Sequence, residues 1–248
     1  MILVDAHAHL DDKSFKDISE VVGRAEKVGV KEVITNGVGP ASNRKSLEIA
    51  RKFSIVKAAL GIYPCEADKM SSEEISAEID FIEKNKNKVI AIGEVGLDFY
   101  WKPYDEKKQK DAFQKFIGLS ERLRIPLIVH SRKAEAEVIE MIESSRAKPL
   151  IHCFGGSMKL AKRIADNGWS FSIPCIVVRD DHFQRLVREV NISQLLTETD
   201  SPYLAARKDE RNEPAFVLES VRKIASLKGL DVEEAANIIY MNYQRLFK

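Results

Sequence analysis

The sequence contains few cysteines and no long apolar run. Its 248 residues include three cysteines, Cys65, Cys153 and Cys175, and none of them belongs to a CxxC pair. This odd, dispersed set argues against a disulfide scaffold and favours a reducing compartment. No stretch approaches the roughly 20 apolar residues of a membrane span, and the N-terminus lacks the basic and then apolar pattern of a secretion signal. We therefore expect a cytoplasmic protein without a membrane partner, and no pattern in the sequence calls for an obligatory protein partner.

The chain also has almost no net charge. Its 39 Lys and Arg residues nearly balance its 38 Asp and Glu residues, which gives a formal charge of +1 at pH 7. Such a balance provides no overall attraction to nucleic acid, so an anionic partner would have to be held by a local patch. The GxGxxG and Walker patterns, which cradle phosphates in open nucleotide-binding sheets, are missing as well.

The sequence does contain a regular alternation of short apolar runs and longer amphipathic segments. The runs are 2–5, 32–35, 55–60, 89–93, 127–130, 150–152, 169–173 and 195–197. Between them helical spacing recurs, as where Ser71 and Glu74 form a capping-box pattern before Ile75. Strand and helix repeated about eight times predicts parallel strands with helical crossovers. With 248 residues, 44% of them hydrophobic, a closed (β/α)8 TIM-type barrel of the α/β class fits better than the alternative, an open doubly wound sheet.

Histidines and carboxylates lie at the C-terminal ends of these predicted strands. The residues are His7 and His9 after the first run, Glu94 after the fourth, His130 and His152 ending the fifth and sixth, and Asp200 after the eighth. Four of the five histidines thus occupy the positions where barrels of this type carry their active sites. Structural histidines would be scattered more widely, so the pattern predicts a metal site at this end of the barrel.

The number of candidate ligands predicts more than one ion. Four imidazoles and several carboxylates exceed what one tetrahedral zinc needs, whereas two divalent ions about 3.5–4 Å apart would use them all. Glu94 comes alone from its strand and is the natural bridge between the ions. We expect one ion on His7, His9 and Asp200, and the other on His130 and His152. The mixed nitrogen and oxygen ligands suit Mg²⁺, Mn²⁺ or Zn²⁺.

Six short motifs carry a family resemblance. They are DAHAHL, GEVGLDFY, HSR, HCFGG, ETDSPYL and RNEP, in this order. Together they resemble the TatD-related metal-dependent deoxyribonucleases, a family of amidohydrolase-like barrels, from Asp5 to Pro214. The resemblance implies that one TatD-like barrel domain spans residues 1–248.

This resemblance also implies a site and an activity. In the family, residues matching His7, His9, Glu94 and Asp200 hold one ion, and residues matching Glu94, His130 and His152 hold the second. The implied reaction is hydrolysis of DNA phosphodiesters, often as a 3′-to-5′ exonuclease on single-stranded DNA or 3′ ends. We expect Glu94 and Asp200 to be the catalytic residues, with Asp200 as a ligand and proton acceptor for the attacking water, or as a ligand alone.

Several further residues are expected near the substrate. Arg132 lies two residues beyond His130 and suits bidentate phosphate binding, and Arg211 could reach a phosphate from the last loop. The family has a Gly-x-His-Pro run where this chain has Gly61 to Pro64, with Tyr63 in the place of the histidine; the phenol could still donate to a phosphate oxygen. Glu198 and Asp5 share the faces of the ligands and could orient a histidine, although each could equally be a buried structural carboxylate.

Aromatic and basic residues after the predicted strands could form a surface for nucleic acid. The aromatic residues are Phe99, Tyr100, Trp101 and Tyr203, and the basic residues are Lys102, Lys133, Arg179, Arg207 and Lys208. Aromatic rings at the rim would stack splayed bases of single-stranded DNA, although any of them could instead pack its own loop.

Two other functions compete with the nuclease. The same pair of ions could cleave another bond, such as an amide, a lactone or an aminoacyl ester. Alternatively, the barrel could bind metal and serve only as a scaffold, but a non-catalytic barrel would not need six polar ligands on one face. Glu94 favours the nuclease, because many related barrels that cleave amides use a modified lysine at this point.

Overall fold

The computed structural model describes residues 1–208 and 210–248. Within this part of the chain, eight parallel strands form one sheet in the order β1 to β8. The strands are β1 (Leu3–Ala8), β2 (Val30–Asn36), β3 (Val56–Leu60), β4 (Val89–Asp98), β5 (Leu127–Arg132), β6 (Pro149–His152), β7 (Ser170–Ile173) and β8 (Leu195–Thr197). Most of their side chains are buried, as expected for a parallel sheet that is covered by helices.

The helices lie between and after the strands. They are α1 (Ile18–Val28), α2 (Pro40–Lys52), α3 (Pro64–Ala67), α4 (Ser72–Lys84), α5 (Glu106–Leu123), α6 (Glu135–Glu143), α7 (Met158–Asp166), α8 (Asp181–Glu189), α9 (Val217–Lys228) and α10 (Val232–Phe247). The predicted capping box is present at the start of α4, where Ser71 and Glu74 each accept a hydrogen bond from the other's backbone N–H. Among the described residues, no helix is both long enough and apolar enough to cross a membrane.

The two ends of the sheet meet, so the sheet curls into a nearly closed barrel. The hydroxyl of Thr197 on β8 donates to the carbonyl oxygen of Val4 on β1. Just beyond β8, the N–H of Asp200 donates to the carbonyl oxygen of His7, and the N–H of His9 donates to that of Ser201, both at 2.8 Å. The (β/α)8 barrel expected from the sequence is therefore confirmed, and the alternative, an open doubly wound sheet, is wrong.

Strand β4 is twice as long as its apolar run. The run ends at Gly93, but the strand continues to Asp98 and pairs with β5, with Gly96 opposite His130. A side chain at Gly96 would not fit there, because an added Cβ would lie 2.0 Å from the carbonyl oxygen of His130. Glycine at this position thus lets the backbones of β4 and β5 approach each other. Glu94 therefore lies within the strand, and strand residues on both sides of it fix its position.

Candidate metal centre

The six expected ligands converge at the C-terminal end of the barrel. The Nε2 atoms of His7 and His9 are 3.2 Å apart, and they lie 3.3 and 3.4 Å from Oε2 of Glu94. Asp200 completes this group, because its Oδ1 lies 3.3 Å from Nε2 of His9 and 3.6 Å from Nε2 of His7. Two imidazoles and two carboxylates therefore face one point.

Glu94 uses its other oxygen for a second group. Its Oε1 lies 3.0 Å from Nδ1 of His130 and 3.5 Å from Nε2 of His152. The imidazole of His152 also stacks on that of His7, with ring centroids 3.8 Å apart. Glu94 thus lies between two pairs of histidines, with one carboxylate oxygen toward each pair.

The chemistry of these residues fits divalent cations. Two groups of three residues have ligand atoms that all lie within 4.8 Å of one another. The first group is His7, Glu94 and His152, and the second is His7, His9 and Asp200. Neutral imidazole nitrogens and carboxylate oxygens have lone pairs to share, and Zn²⁺ or Mn²⁺ accepts such mixed sets. The geometry therefore supports metal binding, with Glu94 common to both halves of the site.

The chain is similar to known proteins over nearly its whole length. The family model described as TatD related DNase matches residues 4–248. The chain belongs to the TatD-related DNase family. A protein of Methanocaldococcus jannaschii named an uncharacterized metal-dependent hydrolase is 36% identical over 246 residues, which cover 99% of this chain and 96% of that protein. Human deoxyribonuclease TATDN3 is 31% identical over 258 residues, which cover 99% of this chain and 94% of the human protein.

A solved structure supports the fold of this TatD-related protein. The TatD homologue YjjV of Escherichia coli superposes on this chain with a TM-score of 0.92 and a sequence identity of 24%. The superposition covers 99% of this chain and 97% of the YjjV chain. At that identity the likeness bears on the fold alone. Because the chain belongs to this family and is similar to a protein named a metal-dependent hydrolase, we conclude that it is a metal-dependent hydrolase.

In three of the histidines, the ring nitrogen that faces away from the centre contacts an oxygen that can accept its hydrogen bond. Nδ1 of His152 lies 3.1 Å from Oε2 of Glu198, which also accepts a hydrogen bond from the hydroxyl of Ser172. Nδ1 of His9 lies 3.1 Å from the carbonyl oxygen of Asn36. Nε2 of His130 lies 3.1 Å from Oδ2 of Asp98. Such contacts fix the tautomer and the ring orientation, so that the other nitrogen is presented to the centre.

Glu198 therefore contacts His152, in keeping with one of its two interpretations from the sequence, whereas Asp98 was not expected from the sequence. Asp98 is fully buried and contacts His130 from the far end of β4. It has the same parity on the strand as Glu94, since Glu94, Gly96 and Asp98 alternate along β4. That parity within the GEVGLDFY motif is the signal that could have identified it.

Tyr63 contacts Asp98 and His130. Its hydroxyl donates to Oδ2 of Asp98 at 2.5 Å and lies 3.3 Å from Nε2 of His130. Because the single phenolic proton is engaged with Asp98, the hydroxyl could only accept from a substrate. A role for Tyr63 in binding substrate stays a prediction, but its place beside a candidate ligand is clear.

The electrostatics of the centre favour positive charge. Burial opposes the charged form of His9, but its hydrogen bond with Asp200 and the charge of Glu94 raise its pKa to about 9. Burial likewise opposes protonation of His152, and the carboxylate of Glu198 raises the pKa of that imidazole to about 10. Although burial favours the neutral form of Glu94, the nearby imidazoles hold its pKa well below the ordinary value. Protons or divalent cations can supply the charge that these carboxylates demand.

Asp5 does not orient a histidine ring and instead joins the ends of the barrel. Its Oδ1 accepts from the backbone N–H of Thr199 at 2.9 Å and from that of His7 at 3.3 Å, and its Oδ2 accepts from the Thr199 hydroxyl at 2.6 Å. Burial raises the pKa of Asp5 to about 8. Asp5 thereby ties the segment that carries His7 to the segment that carries Asp200.

The two arginines expected near the substrate both lie at the mouth of the barrel. The guanidinium of Arg132, at the end of β5, stacks on the ring of Tyr100 at 3.8 Å. That of Arg211 donates to the carbonyl oxygen of Ser14, in the loop after β1, and lies 5.1 Å from the centroid of Phe15. Neither contacts the six central residues directly, and phosphate binding by either one stays a prediction.

Proposed function

We propose that this protein hydrolyses DNA phosphodiesters, removing nucleotides from the 3′ ends of single-stranded DNA with two divalent ions. The observation that carries the proposal is the position of Glu94, one oxygen toward His7 and His9 and the other toward His130 and His152. That arrangement is suited to a carboxylate shared between two ions. When bound, a pair of Mg²⁺, Mn²⁺ or Zn²⁺ ions would lower the pKa of water and stabilise the charge of a leaving oxygen.

The chain's own residues would divide the work. His7, His9 and Asp200 would hold one ion, His130 and His152 the other, and Glu94 both. Burial alone would raise the pKa of Asp200, but its hydrogen bond with His9 and the imidazoles of His152 and His7 hold it below the ordinary value. An ionised Asp200 at neutral pH can accept the proton of the attacking water.

The relatives support the choice of DNA over other substrates. Human TATDN3, which matches nearly the whole chain, is named a deoxyribonuclease. The chain carries a glutamate on β4 as the shared residue, in keeping with the nuclease branch of these barrels. The alternative, hydrolysis of another ester or an amide at the same centre, is favoured by the near absence of net charge, +1 at pH 7, which gives DNA no overall attraction.

The decisive experiment follows degradation of a 5′-labelled single-stranded oligonucleotide in the presence of Mg²⁺, Mn²⁺ or Zn²⁺. Wild type is compared with Glu94→Gln and with Glu106→Gln, a surface carboxylate at the start of α5. A ladder that shortens from the 3′ end with wild type and Glu106→Gln, and is absent with Glu94→Gln, would support the proposal. No cleavage with any metal, while elemental analysis still finds two ions per chain, would favour the ester or amide hydrolase.

A further inference from the structure

The strongly exposed aromatic side chains of the described residues all lie around the mouth of the barrel. They are Tyr100 at 47% exposed, Trp101 at 55% and Tyr203 at 55%. Tyr100 and Trp101 lie in the loop after β4, and Tyr203 follows β8, next to His9. Single exposed apolar side chains are common in folded proteins, but exposed aromatic rings that are grouped together mark contact surfaces. Their restriction to the metal-centre end indicates a contact with whatever enters the centre.

Three residues on one side of the mouth form what we call the aromatic corner: Tyr100, Trp101 and Arg132. The two rings are nearly perpendicular, with centroids 4.9 Å apart and an interplanar angle of 88°. The guanidinium carbon of Arg132 lies 3.8 Å from the Tyr100 centroid and 5.4 Å from that of Trp101. The corner thus brings two exposed rings and a fixed cation together.

This corner is tied to the metal centre by backbone contacts. The N–H of Tyr100 donates to Oδ1 of Asp98 at 2.9 Å, and Asp98 contacts His130 through its other oxygen. The N–H of Phe99 donates to the carbonyl oxygen of Arg132 at 2.9 Å, two residues after His130 on β5. The corner and the centre are therefore built on the same two strands, and Asp98 contacts both of them.

We propose that the aromatic corner binds the nucleotide next to the scissile phosphate, with its base stacked on Trp101 and its phosphate held by Arg132. Stacking on Tyr100 occupies only the flat face of the guanidinium, so its in-plane N–H groups stay free for phosphate oxygens. Base stacking on an aromatic ring tolerates any sequence, because every base has a π face. This inference rests on the proposed function and adds to it that the substrate is recognised through an unpaired base.

Binding can be measured apart from catalysis. The chain has two tryptophans, so Trp169→Phe leaves Trp101 as the sole tryptophan emitter; Trp169 lies beside the start of β7, at the other end of the barrel. In this background, metal-loaded protein is titrated with a phosphorothioate-linked thymidine octamer, which resists hydrolysis. The comparison ligand is an abasic octamer of equal length, linkage and charge.

We expect the thymidine octamer to quench Trp101 and to bind about tenfold more tightly than the abasic octamer. Trp101→Leu should reduce the ratio of the two affinities to about one, whereas Trp101→Phe should retain most of the preference. Because these two variants lack Trp101, their binding is followed by a fluorescent label on the oligomer. Equal affinity of wild type for the two octamers would overturn the proposal. So would an unchanged preference in Trp101→Leu.

Hydrolysis of the same two octamers with natural linkages separates this proposal from the proposed function. For wild type, kcat/KM should favour the thymidine octamer about tenfold, and in Trp101→Leu the ratio should be near one. Cleavage of both octamers at equal rates by wild type would overturn the aromatic corner and leave the nuclease standing. If wild type cleaves neither octamer, the nuclease fails, and the fluorescence titration still decides whether the corner binds bases.

Discussion

Glu94 and Glu32 are both buried carboxylates on strands of the barrel, at opposite ends of it. Near the start of β2, the oxygens of Glu32 lie 2.8 Å from Nζ of Lys248 and 3.6 Å from Nζ of Lys57. At the other end, Glu94 contacts the imidazoles of four histidines. The carboxylate of Glu32 is neutralised by cations of the chain itself. That of Glu94 faces imidazoles that could themselves bind a metal ion, so a divalent cation from outside could take the place of the protons beside it.

Exchanging Glu94 for glutamine should have the largest effect on metal binding and activity, since it removes the charge that both halves of the centre share. We expect Glu94→Gln to weaken metal binding and to lower kcat/KM by more than about 100-fold, because loss of a residue that only orients a ligand already costs 10–100-fold. Metal content after dialysis, by elemental analysis, checks the binding directly. Retention of two ions at wild-type affinity would show that Glu94 does not bridge.

A smaller loss of metal affinity is expected when a substitution disturbs only the orientation of a ligand. Asp98→Asn keeps the size of the side chain but removes the charge beside His130, and should weaken the affinity for the ion that His130 would hold by about 10–100-fold. Competition with a chromogenic chelator measures this affinity. Asp105→Asn is the matched control, since Asp105 caps α5 in the following loop and asparagine caps helices equally well. Equal metal affinity in the two variants would rule out an orienting role for Asp98.

The affinity for metal should also depend on pH. Because the pKa of His9 is raised to about 9 and that of His152 to about 10, both imidazoles carry a proton at pH 7.5 and must release it when an ion binds. Affinity should therefore fall about tenfold for each pH unit and each proton released as the pH is lowered below about 9. Titration calorimetry in two buffers of different ionisation enthalpy counts the protons. A binding enthalpy that does not change with the buffer would contradict this expectation.

The smallest effect is expected at the other end of the barrel. Glu32→Gln makes the same chemical change as Glu94→Gln, but its lysine partners are partly exposed and lose only a modest interaction. We expect the free energy of unfolding to fall by about 1 kcal/mol, with metal content and activity as in wild type. Urea unfolding and elemental analysis test the two parts. Loss of metal in Glu32→Gln would mean that the two ends of the barrel are not independent.

Much of the centre could be predicted from sequence because its side chains sit at the ends of apolar runs. His152 ends its strand as expected, His130 lies two residues before the end of β5, and Glu94 lies on the strand that was expected to present it. Asp98 was missed, because glycines at 93 and 96 interrupt the apolar pattern from which a strand is inferred, while backbone pairing with β5 extends the strand. Only its spacing from Glu94 in the motif pointed to it.

The surroundings of the centre were harder to predict than the centre itself. The contact of Tyr63 with Asp98 joins residues 35 positions apart, and the stacking of Arg132 on Tyr100 joins the end of β5 to the loop after β4. Neither follows a local period in the sequence. Such contacts depend on how the loops fold over the mouth of the barrel, which a strand and helix pattern does not specify.

The hydrogen bonds between β1 and the segment around β8 have a consequence for the order in which the protein is assembled. A chain emerging from the ribosome presents His7 and His9 early, but the Thr197 hydroxyl that bonds to Val4 lies 193 residues later, and Asp200 comes after it. Glu94, His130 and His152 have all been synthesised by residue 152. One half of the centre can therefore gather while translation continues, whereas the other half must wait until Asp200 has been synthesised.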